Sequence, residues 1–200
     1  LATVNFGYPS TKRKVEKHAE SLASVVRNLD GVETIDFVAH SMGNIVVRKY
    51  LYDISQLDPA ERPPVKFRRM VMISPPNHGA RAADNWSDSR LGKMLAGKPM
   101  EQLAPNRGWP ELEEKLATPD FEFGIIAGGK GNDDGYLPTI PGDDDFLLSI
   151  DTMRLSGAND FIQTGGIHQL MAKYQQVREY TLAYLQNGFF VSAEARQPIE

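Results

Sequence analysis

The sequence contains no cysteine. That single absence excludes disulfide frameworks, cysteine nucleophiles and thiolate metal sites together. It does not fix the compartment, because exported proteins can lack cysteine too. No apolar run approaches the roughly 18 residues needed to cross a bilayer. No basic patch stands out, and the net charge is −4, which argues against nucleic acid as a partner. Histidine is scarce, at four residues, so candidate bases can be taken one by one. The first ten residues, "LATVNFGYPS", hold neither an initiator Met nor a signal-peptide pattern and open within what reads as a strand. A fragment or a processed product is therefore expected.

What is present is ordinary for a globular chain. Hydrophobic residues make up 41% and charged residues 24% of 200 residues. That length suits one domain, with room for an insertion. Residues 2–7 alternate weakly and end at Pro9, which predicts a strand and a turn. Residues 12–29 place Val15, Ala19, Leu22, Val25, Val26 and Leu29 on one helical stripe, stopped by "DG" at 30–31. Strands are expected at 34–39, 67–74, 121–127 and 160–164, with helices at 43–54 and 173–186, the last ended by Gly188. Strands alternating with helices imply an α/β fold, with a mostly parallel sheet covered on both faces.

Two segments break that rhythm. Residues 80–118 carry Trp86, Leu91, Met94, Leu95, Met100, Leu103, Trp109 and Leu112 without a strand pattern. A bare loop of that length is uncommon in a compact domain, so a small helical insertion is expected there. Residues 128–145, "GGKGNDDGYLPTIPGDDD", read as a long loop. Its aspartates match no 12-residue calcium loop, and a solvated acidic loop is the expectation.

The chemistry centres on "FVAHSMGNIVVRKYL", residues 37–51, where a strand runs through Ser and Gly straight into a helix. Ala39-His40-Ser41-Met42-Gly43 resembles the nucleophile elbow of α/β-hydrolases, G-x-S-x-G, with Ala in place of the first Gly. Small residues are expected two before and two after the Ser because strand and helix pass closely there. A Ser capping a helix is the bland alternative. A serine hydroxyl needs a base. His18 sits among charges on the first helix and is expected to be solvated. His40 belongs to the elbow and is expected to point away from Ser41. His78 follows the third strand in "PPNHGA". His168, in "TGGIHQLM", follows the fifth strand on a Gly-rich turn and suits the order Ser, acid, His. For the acid, Asp145 in "GDDDFLL" and Asp134 in "NDDGYL" compete. Asp145 has the better spacing to His168, whereas Asp134 has the Gly after it that relatives commonly carry.

Beyond the elbow, "YPST", "VAHSMGN-VVR-YL", "ISPPNHGA", "PGDDD…RL…DF" and "HQLM" resemble segments of bacterial lipases and esterases of the α/β-hydrolase superfamily, in the same order. The resemblance spans nearly the whole chain. It implies ester hydrolysis through an acyl-enzyme by Ser41, Asp145 and His168, with no cofactor and no metal. It also implies the Met42 N–H as one oxyanion donor, and a cap or lid at about 80–118. A second oxyanion donor and a strand between residues 2–7 and 34–39 are expected upstream of "YPST". Thioesterase or acyltransferase chemistry would use the same triad. A non-catalytic binding module on this fold is the alternative of a different class. Acyl length and oligomeric state are not written in these motifs.

Overall fold

A computed structural model describes residues 2–80 and 101–200. Its elements are α1 (Val15–Arg27), β1 (Thr34–His40), α2 (Met42–Ser55), β2 (Lys66–Ile73), α3 (Trp109–Glu113), β3 (Glu122–Gly129), α4 (Ile150–Met153), β4 (Asp160–Gly165) and α5 (Gln175–Asn187). Short 3₁₀ turns occupy Pro59–Glu61 and His168–Lys173. The four described strands pair in parallel in the order β1-β2-β3-β4.

The alternation of side chains along each strand divides the apolar residues between two faces. Met70 and Met72 of β2, with Phe123, Ile125 and Ala127 of β3, join a large cluster with α1 and α2. Val71, Ile73 and Ile126 point the other way, onto Val177, Tyr184 and Phe190. The run "MVMI" is therefore continuous and apolar because both faces of β2 are covered, as parallel sheets require. At β1 the second face is less covered by the described residues, and Val38 is half exposed.

Two expectations change. Residues 2–9 form no strand. No described strand pairs with them, and Phe6 and Tyr8 pack on the large cluster. His18 is buried, not solvated. It lies three residues after Val15 and four before Leu22, on the same buried stripe of α1, with the Tyr8 ring 4.4 Å away. The apolar residues of 101–118 serve the core: Leu103, Ala104, Trp109, Leu112 and Leu116 all join the large cluster. Trp86, Leu91, Met94, Leu95 and Met100 of the expected cap lie outside the described residues.

A buried cation secures this segment. Arg48 of α2 donates to the Ala117 carbonyl at 2.9 Å and to the Asn77 side chain at 3.1 Å. Burial depresses its guanidinium to about 10, countered in part by Glu113. Asn77 in turn donates to the Met153 carbonyl, joining the loop after β2 to α4.

Two outcomes follow from this packing. A Cβ on Gly124 of β3 would meet the Tyr184 ring at 2.5 Å and the Phe190 ring at 2.7 Å. Gly124→Ala should cost about 1–3 kcal/mol by overpacking and lower Tm by roughly 5 °C for a chain this long. An unchanged Tm would show that α5 yields without cost. His18 is held below its ordinary pKa, first by burial and also by the Arg13 charge. The unfolded chain then binds the proton that the folded chain refuses, so stability falls as pH drops below about 6.5. Thermal unfolding between pH 7 and 5 should show this loss, and His18→Phe should reduce it. An equal slope in the variant would assign the loss to other groups.

Candidate active site

The carboxyl ends of parallel strands are where this architecture places ligands. β1, β3 and β4 each feed one candidate residue into that region. Ser41 follows β1 directly, with φ 53° and ψ −129°. This backbone region is costly for a residue with a side chain, at about 1–3 kcal/mol. The turn is held by its neighbours. The Ser41 N–H donates to the Ile73 carbonyl at 2.9 Å. The Asn44 side chain donates to the carbonyls of Ser41 at 2.9 Å and Ile73 at 3.3 Å. The Ser41 hydroxyl does not cap α2. It lies instead 2.7 Å from His168 Nε2.

The close approach expected around the elbow is milder than the motif suggests. Ala39 is buried. A Cβ on Gly43 would sit 3.6 Å from the Ala39 methyl and 3.6 Å from the Tyr8 hydroxyl, both ordinary contacts. Met42 opens α2, so its N–H is among those with no acceptor inside the helix.

Asp145 is fully buried, and each of its oxygens has a task. Oδ1 accepts the N–H groups of Leu147 at 3.1 Å and Leu148 at 2.9 Å. Oδ2 accepts from His168 Nδ1 at 2.7 Å. That bond places the His168 proton on Nδ1 and leaves Nε2 as an acceptor towards the Ser41 hydroxyl. The His168 N–H also donates to the Asp145 carbonyl at 2.8 Å. Asp134 is exposed on the loop, and its own N–H bonds Asn132. His78 is half exposed, with Nδ1 3.7 Å from Glu113. The structure thus brings Ser41, Asp145 and His168 together and leaves Asp134, His18 and His78 outside.

The loop that carries Asp145 is not a solvated acidic run. Asp143 accepts the N–H groups of Lys130, Gly131 and Asp144, and the Gln163 amide. Asp144, also fully buried, accepts those of Tyr136, Leu137 and Phe146. Three consecutive carboxylates therefore close three turns of one loop. Among the described residues no group of His, Asp and Glu has the arrangement of a metal site. Phe146, where relatives were expected to carry Gly, takes φ 77° and stacks on Tyr136 at 4.4 Å.

Sequence reasoning missed what His40 does. Its ring lies 5.1 Å from the His168 ring. Its Nε2 donates to the His168 carbonyl at 2.8 Å. Burial first, then the neighbouring His168, holds its pKa down. The buried Asn44 was equally silent in the sequence; only its place three residues after Ser41, at the first turn of α2, could have pointed to it.

Comparison with solved structures places this geometry in context. The mature Bacillus licheniformis lipase BlEst2 matches over 80% of this chain and 68% of its own, with 16% identity and a TM-score of 0.57. Its propeptide form matches over 96% of this chain and 44% of its own, at 17% identity and a TM-score of 0.64. The chain has the α/β-hydrolase fold. Phospholipase PlaB of Legionella pneumophila shares it, at 19% identity and a TM-score of 0.52 over 74% of this chain and 36% of its own. So does the lin2722 product of Listeria innocua, at 19% identity and a TM-score of 0.56 over 88% of this chain and 68% of its own. The chain thus spans less than half of the BlEst2 propeptide form and of PlaB. No protein-family model matches the chain, and neither does any curated protein.

If Asp145 orients His168, Asp145→Asn should favour the wrong tautomer and lower kcat on a p-nitrophenyl ester by about 10⁴. Asp134→Asn should leave it near wild type. Equal losses, or a larger loss at Asp134, would contradict the assignment.

Proposed function

We propose that this chain is a serine hydrolase of carboxylic esters, acting by Ser41, His168 and Asp145 through an acyl-enzyme. One observation carries the reading: the unbroken chain of 2.7 Å contacts from Asp145 through His168 to a serine on a strained turn. Strain of this kind is retained where a turn must present one side chain.

In this mechanism Ser41 Oγ attacks the ester carbonyl carbon as His168 Nε2 takes its proton. The Asp145 carboxylate stabilises the resulting imidazolium. The carbonyl oxygen, now an anion, is met by the Met42 N–H at the positive end of α2. The tetrahedral intermediate collapses, the ester C–O bond breaks, and Nε2 returns the proton to the leaving alkoxide. Water, activated by the same imidazole, then releases the acid. No step calls on a cofactor. The fold's similarity to a lipase and a phospholipase supports lipid esters as the substrate class. This reading assigns a cap to residues 80–118, for which the core contacts of Leu103, Trp109, Leu112 and Leu116 are the anchorage.

The test is Ser41→Ala with labelling by a fluorophosphonate. The variant should lose about 10⁶ in kcat, keep its thermal unfolding, and take up no label, while the wild-type chain is labelled at Ser41. Activity retained in Ser41→Ala would remove Ser41 as nucleophile. A folded wild-type chain inert to both ester and label would mark a binding module.

A further inference from the structure

We infer that His40 is a positioning residue: the Nε2–H of the side chain preceding the nucleophile holds the backbone of His168, and so sets the distance between Nε2 of that imidazole and Ser41. The inference rests on the reading of Ser41 and His168 as nucleophile and base.

His168 follows β4, the last of the described strands in the sheet order, and is the first residue of the short 3₁₀ segment His168–Lys173. A residue so placed needs anchors if its side chain is to keep hydrogen-bond distance to Ser41. Its two backbone polar groups supply them. The N–H is bound to the Asp145 carbonyl at 2.8 Å, on the acid's own loop. The carbonyl is bound to His40 Nε2 at 2.8 Å, on the elbow. The three catalytic loops are therefore joined twice, once through the reacting side chains and once through the backbone. The second connection does not pass through the proton that moves in the reaction, so it persists through each chemical step.

The side chain suits this task. A ring at position 40 spans the gap from the end of β1 to the His168 loop, and one tautomer presents a donor at Nε2. The ionisable groups acting on it are His168, 5.1 Å away ring to ring, and the Asp145 carboxylate. Burial and His168 both favour the neutral form, which spares the base a second cation beside it when it becomes imidazolium. A packing role and a donor role predict opposite substitution patterns. Packing is preserved by a ring without the donor. Positioning is preserved by an amide whose nitrogen reaches as far as Nε2, which Gln provides and the shorter Asn does not.

The experiment compares His40→Phe, His40→Gln and His40→Asn with the wild type and Ser41→Ala. Each is measured for thermal unfolding, kcat and KM on a p-nitrophenyl ester, and the rate of fluorophosphonate labelling. His40→Phe and His40→Asn should lose about tenfold in kcat and in labelling rate, the worth of one hydrogen bond, with KM nearly unchanged. His40→Gln should recover most of that loss. Gln and Asn variants of equal activity, or a Phe variant as active as wild type, would overturn the inference. If Phe does not fold, the Gln and Asn pair decides alone. An inactive Ser41→Ala beside a flat His40 series sinks this inference and leaves the function standing. An active Ser41→Ala sinks the function itself.

Discussion

The bond from the Ser41 N–H to the Ile73 carbonyl carries the architecture of this chain into its chemistry. It extends the β1–β2 ladder one residue past β1, to where the backbone has already turned left-handed. Without it the strained turn would relax towards an ordinary strand end. The buried Asn44 reinforces it from α2, bonding both carbonyls at the junction. The cost of strain at Ser41 is thus met by sheet pairing and by a desolvated amide, each independent of any substrate.

The same division of labour appears on the acid's loop. A buried carboxylate is tolerated when charge-assisted bonds replace its lost water. Asp145 satisfies one oxygen with two backbone N–H groups and offers the other to His168. Asp143 and Asp144 bond backbone N–H groups around it, with the Gln163 amide also on Asp143, and so close the loop. Asp145 is therefore fixed by its own loop, which resists the motion that would lengthen the contact to His168.

The fold was legible where periodicity spoke. The apolar run of β2 announced a strand covered on both faces, and the stripe of α1 announced a helix. Residues 2–9 misled because alternation alone predicts a strand, while a strand needs a partner, and none of the described residues supplies one. His18 misled because its charged neighbours were weighed above its spacing from Val15 and Leu22, which set it on the buried stripe. Ser41, Asp145 and His168 could be picked out as candidates because motif order and loop setting are local properties, and the structure brings the three within hydrogen-bond distance. His40 could not, because its partner lies on another loop and appears only when the chain closes; Asp143 and Asp144 could not, because a carboxylate that bonds backbone N–H groups of its own loop reads in sequence like a solvated one. Residues 80–118 read as a cap; of its described part, five residues pack in the core, a placement that the sequence left open because an apolar segment looks the same whichever surface it covers.

The most direct test of the central claim is to catch the intermediate. The wild-type chain is mixed rapidly with excess p-nitrophenyl ester and quenched in acid, and its mass is read before and after peptide mapping. The account predicts a burst of p-nitrophenolate approaching one equivalent, with the acyl group on the peptide containing Ser41. Turnover with no burst and no acylated protein, or an acyl group mapped to any other residue, would contradict it.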